Sequence, residues 1–333
     1  MAMNSIPYPS RLPLAQLPTP IEKISCSLLP RSGALWVKRD DLTGTLTSGN
    51  KIRKLEFLLS EARGEGCDSV LTCGGIQSNH ARTCAAAAAS LGMNCHLFLR
   101  GGADAPLEGN LFLDRVLGAD LHFLSAEDYS RRRDQLMQEF ADRLIREEHR
   151  PYIIPEGGSN SLGSFGYILA AEEIYHQVRQ AALPVKGLVC AVGSGGTYTG
   201  LWLGTRLLHW DIPVWGINIC DSAAYFQERI LGEMERAVRR FRLPVTIRPE
   251  EIRIVDGYVF SGYSQAPAEI HLCIRRLAAE TGLILEPVYT AKAFYGMVQE
   301  WEKGLFGPDP ELLFLHTGGL FGLMTSHYSP FYA

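Results

Sequence analysis

Val192-Gly193-Ser194-Gly195-Gly196-Thr197-Tyr198-Thr199-Gly200 follows the apolar run Gly187–Val192 and leads into a helical pattern over 201–208. A buried strand, a glycine-rich turn and a helix start, in that order, form the repeating unit of an open α/β sheet. The unit recurs along the chain. Strands are expected at 34–38, 69–73, 95–99, 121–124, 152–154, 187–192, 214–219, 252–255 and 312–316, and helices at 51–63, 78–91, 128–148, 161–182 and 266–281. This alternation predicts an α/β fold of mostly parallel sheets flanked by helices, with ligands at the carboxyl ends of the strands.

Composition narrows the function. The chain has 333 residues, about two domains' worth. It is 46% hydrophobic and 20% charged, the balance of a globular protein rather than a disordered one. A net charge of −4 gives no electrostatic footprint for nucleic acid, and no run approaches the ~18 apolar residues of a membrane span. The proline-rich first residues lack the apolar core of a secretory leader, so a cytoplasmic location is expected. The eight cysteines contain no C-x-x-C pair and the histidines no zinc spacing, so free thiols, no disulfide and no structural metal are expected. The mixed-charge stretch 131–150 predicts a solvated amphipathic helix, and Ala85–Ala89 close helix packing. No linker divides the chain cleanly, as in two domains that interleave.

Three loops carry chemistry. The glycine turn at 193–197 exposes backbone N–H groups at a helix start and suits a single phosphate. It lacks the lysine of a Walker loop, and Tyr198 stands where a dinucleotide fingerprint needs glycine. A glycine turn without ligand is the competing reading. Next, Thr47-Ser48-Gly49-Asn50-Lys51 breaks the chain at Gly49, offers Ser48 or Asn50 as a cap and puts Lys51 in a first helical turn. A cation there is electrostatically misplaced, which lowers its pKa as a nucleophilic amine requires; an ordinary surface lysine is the alternative. The third is Gly74-Gly75-Ile76-Gln77-Ser78-Asn79-His80, where a helix start suits a carboxylate, or where Ser78 or Asn79 is a plain cap. Similar turns follow at Gly157-Gly158-Ser159-Asn160 and His316-Thr317-Gly318-Gly319.

Taken with Lys38-Arg39-Asp40-Asp41-Leu42, Arg53-Lys54-Leu55-Glu56 and Glu286-Pro287-Val288-Tyr289-Thr290, these motifs resemble the pyridoxal-phosphate (PLP) enzymes of fold type II. The chain is similar to the branch of D-cysteine desulfhydrases and 1-aminocyclopropane-1-carboxylate (ACC) deaminases, from about residue 10 to 325. The resemblance implies two open, twisted, mostly parallel sheets of the tryptophan-synthase-β type. A large PLP-binding domain would comprise 1–48 and 163–333, with a small domain, 49–162, inserted. It implies a homodimer acting on a small amino acid.

By the same resemblance Lys51 carries PLP as a Schiff base, and Asn79 bonds the ring hydroxyl. Gly193, Ser194, Gly195, Gly196 and Thr197 would hold the phosphate, with Thr290 where the family's glutamate faces the pyridine nitrogen and Thr317 also among the cofactor-binding residues. Ser78, Asn79, His80, Tyr263 and Tyr289 would meet the substrate; Lys51, Ser78, Tyr263 and Tyr289 would be catalytic. Thr290 stands where ACC deaminases carry glutamate, Thr317 where they carry leucine, and His80 where they carry glutamine. All three resemble the desulfhydrase side. The implied reaction is β-elimination from D-cysteine to pyruvate, hydrogen sulfide and ammonia. ACC deamination to 2-oxobutyrate and lysis of L-cysteate or a related β-substituted alanine are the alternatives. Glu156 and Ala291 depart from the family pattern, as does the segment 258–268 around Tyr263.

Overall fold

The computed structural model describes residue 6 and residues 8–262 and 265–332. Ten strands form two sheets. The larger contains β1 (Ile21–Ile24), β2 (Ala34–Arg39), β7 (Gly187–Val192), β8 (Val214–Asn218), β9 (Arg253–Val255) and β10 (Glu311–His316), in the order β1-β2-β10-β7-β8-β9. Only the β1–β2 pairing is antiparallel. The smaller sheet is wholly parallel and runs β5-β4-β3-β6, built from β3 (Ser69–Gly75), β4 (Asn94–Arg100), β5 (Asp120–Leu124) and β6 (Pro151–Ile153). The expected strands are present with ends shifted by a residue or two; the short edge strand β1 was not anticipated, because its four residues include two charged ones.

The helices are α1 (Lys51–Gly64), α2 (Asn79–Ser90), α3 (Gly109–Val116), α4 (Ala126–Arg146), α5 (Phe165–Gln180), α6 (Gly196–Leu207), α7 (Ala223–Phe241), α8 (Ala268–Thr281), α9 (Thr290–Glu302) and the single turn α10 (Leu320–Leu323). Side chains of the larger sheet alternate between two cores, as the two-residue strand period requires. Leu313, Leu315, Leu188, Cys190 and Val192 pack with α5, α6 and α7, while Leu312, Phe314 and Val189 face α8 and α9. The first core continues through α1 and α2 to Val70, Leu97 and Leu99 of the smaller sheet, so one apolar body joins both sheets. On the far face of that sheet α4 covers Leu71, Cys73 and Phe98. Ala81, Ala85, Ala87 and Ala88 of α2 are buried, the close packing that the alanine run predicts.

A buried ionic network fixes α1. Arg53 donates to both oxygens of Asp40, at 2.8 Å each, and to both oxygens of Glu173 on α5, at 3.0 Å each. Lys38 of β2 reaches Glu173 at 2.5 Å, while Thr19 (2.7 Å) and Tyr167 (2.5 Å) donate to Asp40. Two cations face two carboxylates. Burial opposes the Asp40 charge, but Arg53 and the other donors outweigh it and hold that carboxyl below its ordinary range.

Removing one partner of a buried pair strands the other's charge. Arg53→Met is expected to lower the unfolding free energy by about 3–5 kcal/mol, measured by urea titration followed by circular dichroism. Retained stability would show that the network does not anchor the helix.

Candidate active site

The parallel strands of both sheets end at one cavity of about 410 Å³. The ends of β3 and β4 and residues after β3, β5 and β6 line it on one side, and residues after β7, β8 and β10 on the other. A neighbouring cavity of about 590 Å³ shares Gly75, Asn79, Arg100 and Tyr289 with it.

Lys51 stands half-buried in the wall at the start of α1. The approach of the chain is set by glycine against glycine. Gly49 has φ +108°, and a Cβ on it would lie 2.7 Å from the Thr317 carbonyl oxygen. Gly318 has φ +82°, and a Cβ there would lie 2.8 Å from Gly49 Cα. Only bare backbone allows the loop after β10 to meet the entry of α1. The Gly49 N–H donates to the Asp40 carbonyl at 3.0 Å and the Asn50 N–H to that of Thr317 at 3.2 Å. Ser48 and Asn50 do not cap the helix with their side chains: Ser48 Oγ donates to the Asp41 carbonyl and Asn50 Nδ2 to Thr197 Oγ1 at 3.0 Å. Burial is the main cause that brings the Lys51 amine down to about 8, with the Glu156 charge opposing it.

The glycine turn is gripped from below. Lys54, one helical turn after Lys51, is fully buried and donates to Ser159 Oγ at 3.1 Å; Ser159 Oγ in turn lies 2.9 Å from Ser194 Oγ. A Cβ on Gly196 would lie 2.9 Å from Lys54 Nζ. Burial, reinforced by the charges of Lys51 and Arg229, drives the Lys54 amine well below its ordinary value. Gly193, Ser194, Gly195 and Thr197 line the cavity, whereas Gly196 lies behind them as the first residue of α6.

Ser78 caps α2, its Oγ accepting from the Ala81 N–H at 3.2 Å, and also lines the cavity. Asn79 Oδ1 accepts from Asn110 Nδ2 at 2.9 Å, and Asn110 Oδ1 accepts from Arg82 Nε at 3.2 Å. This chain orients the Asn79 amide with its oxygen away from its NH₂ donors. His80 is buried beside it. Thr72 Oγ1 donates to the Ile154 carbonyl and so accepts from His80 Nε2, 2.8 Å away; burial, then Lys51 and Lys54, hold the ring neutral.

Tyr289 and Thr317 line the opposite wall. Glu286 positions Tyr289, its carboxylate accepting from the N–H groups of residues 288, 289 and 290 at 2.7–2.8 Å. Burial pushes this carboxyl up to about 7 against those donors. Thr290 is fully buried and its hydroxyl accepts from the Glu286 N–H at 2.9 Å, so it sits behind the wall rather than on it. Tyr263 lies outside the described residues. Lys292 ties down the turn before it, donating to the carbonyls of Val259 (3.0 Å) and Gly262 (2.8 Å).

Sequence reasoning missed several groups. The stretch 131–150 reads as a solvated helix, yet α4 brings Tyr129 and Arg133 into the cavity wall. There Tyr129 donates to Glu156 at 2.6 Å, and Arg133 pairs with the other Glu156 oxygen at 3.1 Å. Lys54 had a signal, since it shares a helical face with Lys51. Glu286 stands in the quoted 286–290 motif and bonds its own neighbours, whereas Asn110 had no signal, because its partners lie about thirty residues away.

The sequence pattern of the family described as "Pyridoxal-phosphate dependent enzyme" matches residues 12–318. The chain belongs to that family. A bifunctional D-cysteine desulfhydrase/ACC deaminase of Arabidopsis thaliana is 41% identical over 332 residues, covering 95% of this chain and 80% of the relative. A D-cysteine desulfhydrase of Salmonella choleraesuis is 35% identical, covering 95% and 96% respectively. The crystal structure of an ACC deaminase homologue aligns with TM-score 0.86 at 37% identity, covering 97% of this chain and 95% of that one. The protein is therefore a PLP-dependent lyase of the D-cysteine desulfhydrase/ACC deaminase group, with the fold-type II architecture its motifs resemble. No helix among the described residues is long and apolar enough to cross a membrane.

The cavity fits that cofactor. It offers a lysine amine of lowered pKa, a glycine turn whose Gly195 holds φ +87° on the cavity wall, and the Lys54 side chain behind that turn. Such a volume suits a cofactor-sized ligand. In cofactor-free protein, reductive trapping of a small aldehyde on Lys51, read by peptide mass spectrometry, is expected to rise through about pH 8 and level off above it. Only the neutral amine attacks, and burial sets the inflection. Glu156→Gln, which removes the opposing charge, is expected to move the inflection to lower pH; an inflection in the ordinary lysine range would contradict the burial of Lys51.

Proposed function

We propose that the protein catalyses β-elimination from D-cysteine, adding water overall and giving pyruvate, hydrogen sulfide and ammonia. PLP bound in the cavity supplies an electron sink for the carbanion at Cα. Lys51 holds the cofactor covalently and, once exchanged for the substrate amine, takes the Cα proton on Nζ. A pKa of about 8 lets that nitrogen accept a proton near neutrality. Ser78 and the N-terminus of α2 receive the α-carboxylate, His80 lies beside them, and Asn79 turns its NH₂ toward the cofactor ring hydroxyl. The backbone of 193–197 and the Thr197 hydroxyl hold the phosphate. Tyr289 gives its phenolic proton to the departing sulfur, with Tyr263 as its partner by resemblance.

One feature carries the choice of substrate: Thr317 lines the cavity, with Thr290 buried behind it, at positions where by the resemblance ACC deaminases carry leucine and glutamate. A hydroxyl can bond the pyridine nitrogen but holds no full charge, a weaker electron sink than a carboxylate provides. That suffices when a good leaving group departs from Cβ, and it disfavours opening a cyclopropane. With Thr290 committed to Glu286, Thr317 is the hydroxyl left for the ring. ACC is a second reading because the bifunctional Arabidopsis relative is named for both activities. The same reading makes the protein a homodimer in which 49–162 is a small domain inserted between 1–48 and 163–333.

Purified protein offered D-cysteine, L-cysteine and ACC separately is expected to release sulfide and pyruvate from D-cysteine fastest. Faster 2-oxobutyrate release from ACC would overturn the choice. Lys51→Ala is expected to abolish turnover together with the cofactor's protein-bound absorption band. Tyr289→Phe is expected to cut sulfide release by about 10²-fold or more with the band retained; unaltered release would remove Tyr289 as the acid.

A further inference from the structure

The glycine turn is touched from a side that its own sequence does not reveal. Helix α7 lies across it: a Cβ on Gly195 would stand 2.9 Å from Ile230 Cγ1, and Gly195 has φ +87°, so only glycine lets the helix come so close. One residue earlier on α7, half-buried Arg229 donates from Nε to the Ser194 carbonyl at 3.2 Å and from Nη1 to the Tyr225 hydroxyl at 3.0 Å. Arg229 lines the main cavity together with Ser194, Gly195 and Thr197.

Charge around the turn is unbalanced. Lys51, Lys54 and Arg229 all act on this one corner. The acidic group nearest them on α7, Glu233, is engaged elsewhere, accepting from Ser161 Oγ at 2.8 Å and pairing with Arg236 at 2.8 Å. Arg229 forms no ion pair with a carboxylate among the described residues. Lys54, fully buried, and Arg229, half-buried on the cavity wall, converge on the turn, and charged donors so placed suit a multiply charged anion. Lys54 approaches the turn from inside the protein and Arg229 from the cavity side, so an anion seated on the turn would lie between two positive groups.

We propose that Arg229 is a cofactor-holding residue, its guanidinium clasping the cofactor phosphate from the α7 side of the glycine turn. This rests on the assignment of residues 193–197 to the phosphate. The planar guanidinium suits it, since one edge fixes the Ser194 carbonyl while the remaining N–H groups are left for phosphate oxygens. The role is to retain the cofactor, not to move a proton.

Apoprotein should be titrated with PLP and with pyridoxal, which lacks the phosphate, following the protein-bound absorption band. Arg229→Gln is expected to raise Kd for PLP about 10-fold and to leave Kd for pyridoxal unchanged, with Arg229→Lys falling between it and the parent. Equal weakening toward both aldehydes would mark a general disturbance of α7 and overturn the proposal, as would unaltered PLP binding in Arg229→Gln. A parent protein that binds pyridoxal as tightly as PLP would instead overturn the phosphate assignment of the turn. A parent that prefers PLP beside an indifferent Arg229→Gln would overturn the arginine's role alone.

Discussion

The Arg53 guanidinium, shared between Asp40 and Glu173 in the dry interior, is the contact on which the site depends. It joins the turn after β2 and the first turn of α1 to helix α5, which lies 120 residues further along the chain. Lys51 lies two residues before Arg53, so the same tie that locks the helix to the larger sheet fixes where the amine projects. The charges are matched two against two, which makes so much buried ionisation tolerable. Its geometric partner is the close meeting of Gly49 with Gly318, which lets the loop after β10 arrive at the same helix entry. One interaction supplies rigidity and the other supplies proximity.

Around that anchor the protein builds a cavity whose electrostatics come from placement more than from residue type. Lys51 and Lys54 would be ordinary lysines in water. Burial costs their charged forms solvation, so the first becomes an amine of modest basicity and the second is driven well below its ordinary value. Helix starts at α2 and α6 add the positive ends of their dipoles and their unpaired N–H groups. Positive potential therefore gathers at these two helix starts on the cavity. The Glu156–Arg133–Tyr129 cluster in the wall is internally paired, which tempers but does not remove the Glu156 charge felt at Lys51.

The supporting shell shows why loop residues can act as precise ligands. Asn79 takes its amide orientation from Asn110 and Arg82, and Tyr289 sits where the Glu286 carboxylate gathers three successive N–H groups. Each such contact converts a flexible strand-end loop into a fixed one, at the cost of burying a polar group that must stay satisfied. Thr290 belongs to this shell too: its hydroxyl serves the turn that carries Tyr289, and Thr317 faces the cavity in its place.

Much of the molecule was readable from the chain. Strand–helix alternation determined the α/β class, because hydrophobic period and glycine turns are local properties. The motifs around Lys51, Asn79 and 193–197 carried the resemblance to the family and through it implied the cofactor, because their residues and their order are read directly along the chain. Tertiary structure decided the rest. It brought Asn110 and Arg229 to residues more than thirty positions away, turned one face of the charged helix α4 into cavity wall, and withdrew Thr290 from that wall. Those placements depend on how separate elements pack and which charges lose their water, quantities that no local pattern of residues encodes.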